Sequence, residues 1–159
     1  MDGRHLAEAE PLKEIRFDDP WDGELICRAL NPDQPFRAGF DRCIAVTRGG
    51  KVLGGVMIDG FLHKSVQMHV AAFEPDWLTR AFLWVIFDYC FNQLGVDVIY
   101  GPVESTNEKA IAFDLKIGFK EETRLPGAVV GGDLIIFSMY RADCRWLKLR
   151  PAFVSGATS

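Results

Sequence analysis

Several features are scarce in this 159-residue chain, and each scarcity excludes a class of protein. Positive charge is not in excess: 18 Lys and Arg stand against 22 Asp and Glu, a formal net charge of −4. Nothing therefore draws the chain to nucleic acid or to an anionic membrane surface. Long apolar runs are missing too. The most apolar run, AFLWVIF, stops at Asp88 after seven residues, far short of the ~20 needed to cross a bilayer. The opening stretch MDGRHLAEAEPLKEIRF has no apolar signal core. Cysteine occurs four times (Cys27, Cys43, Cys90, Cys144) with no C-x-x-C pair, so the expectation is a buried, reduced set in a cytoplasmic protein. Of the histidines, His63 and His69 lack a third convincing ligand, and no metal site is expected. There is no G-x-S-x-G elbow, no Walker-type loop, no internal repeat and no low-complexity tract.

What is present is an ordinary globular composition, 48% hydrophobic and 25% charged, long enough for one domain with a real core. We expect that domain over residues 1–147, with 148–159 as a C-terminal tail whose end, VSGATS, reads as flexible. LKEIRF (12–17) alternates and reads as a strand. Asp19 followed by Pro20 predicts a helix N-terminus, the helix running to about Leu30. Residues 31–43, with two prolines, Phe36 and Phe40, predict an ordered loop or short helix that could wall a site. CIAVTR-GG-KVLGGVMI is a hairpin signal turning at Gly49-Gly50, and Gly54-Gly55 suggests a bulge. In SVQMHVAAF (65–73), Val66, Met68, Val70 and Ala72 share one face, and Ser65, Gln67, His69, Ala71 and Phe73 the other. A helix apolar almost all round follows, with Asp76 as expected N-cap and Gly95 as expected stop. VDVIYGPVE (96–104) is a strand, 107–117 a helix, and FKEETRL and DLIIFSMYR two more strands, separated by a loop with Pro126-Gly127 and Gly131-Gly132. The order is mixed α/β with one right-handed, parallel strand–helix–strand crossover over 65–104.

The most specific stretch is STNEKAIAFDLKIGF (105–119): from Asn107 it places Ala110 at +3, Phe113 at +6, Gly118 at +11 and Phe119 at +12. It resembles the N-x-x-A-x-x-[LF]-x-x-x-x-G-F signature of the GNAT acyltransferases. FDYCFNQLGVDVIYGPVESTN also resembles the branch that acetylates ribosomal-protein N-termini. The resemblance spans nearly the whole chain and implies a GNAT fold: a mixed central sheet, flanked by helices, splayed between its fourth and fifth strands to admit acetyl-CoA. It implies acetyl transfer to a primary amine, with Asn107, Ala110 and Phe113 beside the cofactor and backbone N–H groups of the fourth strand holding the oxyanion. Pro102 is independently consistent with a splay, since a continuous central strand would lose a ladder bond there.

Two positions depart from the family pattern. The glycine-bearing pyrophosphate loop corresponds here to EPDWLT, and no glycine occurs between Gly60 and Gly95. Phosphates would then lie near Thr79 and Arg80, opposed by Glu74 and Asp76, with Asp76 also using a helix N–H as its cap. The family's thiolate-protonating Tyr at +7 is Asp114, serviceable as an acid only if burial raises its pKa; otherwise it is a solvent-facing helix residue. His69 and Glu104 are the candidate general bases, His69 being also open to a structural role and Asn107 to plain helix capping.

A second class of function stays open. Small GNAT-like proteins of phages and prophages resemble this chain in size and in the NxxxIxFxxxIGF region, and some are virion components, which would make this a non-catalytic structural or interaction module. The helix 77–94 carries more large apolar side chains than one sheet face covers, and Trp146, Leu147 and Phe153 follow the last strand. We therefore expect a homo-oligomer or docking on a larger assembly through these surfaces. The acceptor amine is unspecified.

Overall fold

The computed structural model describes residues 10–151. The end VSGATS, expected to be flexible from its sequence, and Phe153 lie outside the described residues. Within them the chain runs β1 (Lys13–Phe17), α1 (Pro20–Leu30), β2 (Arg42–Arg48), β3 (Lys51–Asp59), β4 (Ser65–Ala72), α2 (Arg80–Asp88), β5 (Val98–Glu104), α3 (Glu108–Ile117), β6 (Lys120–Val129) and β7 (Gly132–Tyr140). The strands form one mixed sheet in the order β1-β2-β3-β4-β5-β7-β6, antiparallel except where β4 runs parallel to β5. α1 covers one face over β2–β4, and α2 and α3 cover the other.

Local chemistry accounts for the ends of these elements. Asp19 accepts from the N–H groups of Trp21 and Asp22, and Pro20 opens α1 without a needed donor. Gly49 and Gly50 both take positive φ (57° and 82°), the geometry a two-residue hairpin turn requires. Gly118 closes α3 in the left-handed region.

The larger core lies under α2 and α3, where Phe82, Phe87, Phe91 and Phe137 are fully buried with Ile44, Ile58, Ile99 and Ile135. Each such side chain contributes about 1.5–3 kcal/mol. After Asp88 the helix widens into a π-helical turn over Tyr89–Gln93, with Leu94 N–H donating to Tyr89 C=O. Phe87, Cys90 and Phe91, spaced i, i+3 and i+4, all face the core.

Four expectations need correction. Asp76 does not cap α2; Thr79 does, accepting from Phe82 N–H at 3.0 Å. The bulge opposite Val46/Thr47 falls at Leu53, one residue before Gly54. Gly54 and Gly55 are small because of close approach: a Cβ on Gly54 would sit 2.7 Å from the Trp77 ring, and one on Gly55 2.6 Å from Ile44 C=O. Pro126 and Gly127 lie in an irregular stretch of β6 rather than in a loop between strands. The apolar surplus of 77–94 is absorbed within the chain, and no large apolar residue of that span is exposed. The sheet, α3 and a strap of two 3-10 turns (Arg141–Asp143, Arg145–Lys148) cover it. Trp146 Nε1–H donates to Ile117 C=O at 2.9 Å, and Arg145 Nη2–H to Lys116 C=O at 2.8 Å, satisfying carbonyls at the open end of α3. Within the described residues most of the apolar surface of that helix is therefore covered by the chain itself.

Candidate active site

β4 and β5 pair only from Ser65–Val98 to Gln67–Tyr100, then diverge. Beyond Gln67 the β4 backbone pairs with β3 alone, and β5 with β7 alone. Pro102 pairs with Ile136 on β7 and leaves no β4 carbonyl without its donor. The sheet is split where the sequence predicted.

α3 lies across this gap on one face. Gly101 is the first β5 residue past the pairing; a Cβ there would sit 3.4 Å from Asp114 Oδ2 and 3.9 Å from Met68 C=O. The Asp114 carboxyl therefore faces the gap rather than solvent. It has no hydrogen-bond or ion-pair partner among the described residues, and burial pushes its pKa up to about 7. A carboxylic acid of that strength is half protonated at neutral pH and can deliver a proton.

On the opposite face, under α1 and the 31–41 loop, lies a cavity of about 380 Å³. His69 and Asp59 form its wall on the sheet side, with His69 Nε2 2.8 Å from Asp59 Oδ1. The pair is set by register: His69 sits opposite Met57, so Asp59 is its diagonal neighbour on the same face. With Nε2–H donated to Asp59, Nδ1 carries the imidazole lone pair, and no described protein group bonds it. Asp41, 4% exposed, accepts from Arg37 N–H, Nε and Nη2. Phe36 packs against the cluster of Ile26, Cys27 and Met57 and holds the loop in place, so this segment walls the cavity.

Glu104 ends β5 on the same sheet side as His69, by alternation from the core residue Val103, but is exposed and lines neither cavity. Asn107 is the N-cap of α3, its Oδ1 accepting from Ala110 N–H at 3.1 Å. Ala110 packs on the core edge.

The ground expected for the acyl-CoA arm is partly filled. Trp77, 6% exposed, stacks on Phe113 at 6.0 Å between centroids and 25° between planes. With Leu78, Met68, Val70, Gly101 and Asp114, these rings leave a cavity of only about 20 Å³. The loop carboxylates repel less than the sequence suggests. Arg48 bonds Asp76 at 2.6 Å and holds its carboxyl below the usual aspartate range, Lys13 also reaches Asp76, and Lys51 bonds Glu74 at 2.7 Å. Thr79 is spent as the α2 cap, while Arg80 is exposed and without a partner among the described residues. The Asp114 acid and the exposed Arg80 suit a thioester donor, but its arm does not fit the gap while Trp77 lies on Phe113.

Sequence reasoning missed Asp59, because only strand register places it beside His69, and it missed the Trp77–Phe113 stack, which no local signal encodes.

No family model and no curated protein matches this chain. Solved structures do. A variant of spermidine N-acetyltransferase from Vibrio cholerae superposes with a TM-score of 0.63 at 18% identity, covering 86% of this chain and 97% of that one. A second variant gives 0.67 at 17%, covering 86% and 98%. A dodecameric structure of the same enzyme in an intermediate state gives 0.64 at 19%, covering 82% and 94%. Strand order, the β4–β5 split and these likenesses together give the chain the GNAT fold.

Proposed function

We propose that the protein transfers an acetyl group from acetyl-CoA to a primary amine. The observation that carries this reading is a split sheet with a proton acceptor, His69, on one side and a half-buried proton donor, Asp114, on the other. Acetyl-CoA supplies the activated acyl carbon and a thiolate leaving group. His69 Nδ1 takes the ammonium proton and releases the nucleophilic nitrogen lone pair. Asp114, protonated, gives its proton to the departing sulfur and regains one as the nitrogen sheds its second. Unpaired β4 backbone beyond Gln67 is suited to the oxyanion. Entry of the donor requires the Trp77 indole to turn off Phe113.

A second reading, a GNAT-fold module without catalysis, is favoured by that same stack. One experiment separates the two: titration of acetyl-CoA by calorimetry, followed by thiol release with an amine panel. Saturable binding and amine-dependent release, reduced 10²-fold or more in both His69→Gln and Asp114→Asn, are expected. No binding at millimolar acetyl-CoA refutes the enzyme and leaves the module.

A further inference from the structure

The cavity under α1 carries charges that are already balanced in pairs, and this restricts what it can hold. Its ten lining residues include four that are titratable and chargeable near neutrality: Arg37, Asp41, Asp59 and His69. Asp41 is saturated by Arg37 through three donors, so this pair has no charge left over. Among the described residues Asp59 is bonded by His69 alone; with the imidazole neutral, one negative charge faces the cavity. The rest of the lining is Cys27, Leu30, Pro35 and Met57, with Asn31 and Gln34 as neutral polar groups at the outer rim. The Cys27 thiol is pushed up to about 11 by burial and adds no charge.

We infer that this cavity takes a primary monoamine with a neutral, mainly apolar body, its ammonium held by Asp59 beside His69. The inference rests on the acetyltransferase reading for the fate of the amine, and on the cavity alone for its binding. One carboxylate without a cationic side chain of fixed charge anchors one ammonium. A second ammonium further along the ligand would meet Leu30, Pro35 and Met57, or the Arg37 guanidinium, and would lose hydration with no compensating partner. About 380 Å³ holds a ligand of roughly ten to fifteen heavy atoms, within the range of small-molecule sites. This sets the chain apart from the spermidine N-acetyltransferases of like fold, which are named for a polyamine.

The test uses the full chain and two probes, 2-phenylethylamine and spermidine, titrated by calorimetry without acetyl-CoA. The expected result is at least tenfold tighter binding of 2-phenylethylamine, weakened at least tenfold in Asp59→Asn. Leu30→Trp, which fills the cavity from its exposed wall, should abolish binding in a protein whose circular dichroism is unchanged. Spermidine binding as tight or tighter overturns the inference, as does 2-phenylethylamine binding indifferent to both substitutions, or no amine binding at all. Binding as expected with no acetylation when acetyl-CoA is added upholds the pocket and sinks the acetyltransferase reading instead.

Discussion

Asp114→Asn should stabilise the protein while disabling it. The Asp114 carboxyl faces Gly101 and the Trp77–Phe113 stack without a hydrogen-bond partner among the described residues, and burial raises its pKa from the ordinary 3.8 to about 7. A folded-state pKa above the unfolded value means the native state holds its proton more tightly. The associated stability is fully present below about pH 4 and is lost as pH rises through 7. At about 1.4 kcal/mol per pH unit, the loss reaches about 4 kcal/mol by pH 8; with water reaching part of the carboxyl, about 2–4 kcal/mol is expected. Asparagine has nearly the shape of the neutral acid and does not ionise. Urea denaturation should then show Asp114→Asn more stable than the parent by about 2–4 kcal/mol at pH 8, by about 1 kcal/mol at pH 5 and not at all at pH 3.5. Thiol release should fall at every pH because the proton donor is gone. A pH-independent difference, or a variant less stable at pH 8, would mean that the carboxyl is solvated and the reasoning is wrong.

Two further outcomes follow from the filled wedge. Trp77→Ala should cost about 3–5 kcal/mol of stability, as a buried aromatic is lost, yet tighten acetyl-CoA binding severalfold by clearing Phe113; calorimetry showing unchanged affinity would refute the plug. Asp76→Asn should also tighten acetyl-CoA binding, since it removes a like charge and frees Arg48 from its ion pair; no change places the phosphates away from this loop.

Most of the fold was legible in local patterns. Asp19-Pro20, Gly49-Gly50 and Gly118 act through their own backbone geometry, so their turns and caps are readable without knowledge of neighbours. The alternation of Val66, Met68 and Val70 against Gln67 and His69 assigned the two faces of β4 correctly, because side chains in a strand have period two. Pro102 with the Asn107-to-Phe119 spacing located the split. The cap of α2 was misplaced because Asp76 and Thr79 both have capping chemistry. The choice went to Thr79 once Arg48 and Lys13, distant in sequence, claimed Asp76.

The sequence by itself thus determined the element order and the two faces of the sheet, since these follow from side-chain period and turn residues; the place where the sheet opens came from the family resemblance, with Pro102 consistent with it. Only the tertiary structure decided the chemistry. The β3–β4 register set Asp59 against His69, and α3 lying over Gly101 buried Asp114 and raised its pKa. The turn at Arg145–Lys148 packs on α2, so that less apolar surface stays open there than its sequence suggests. Each of these depends on distances between residues far apart in the chain, and on the desolvation those distances impose, which no local pattern carries.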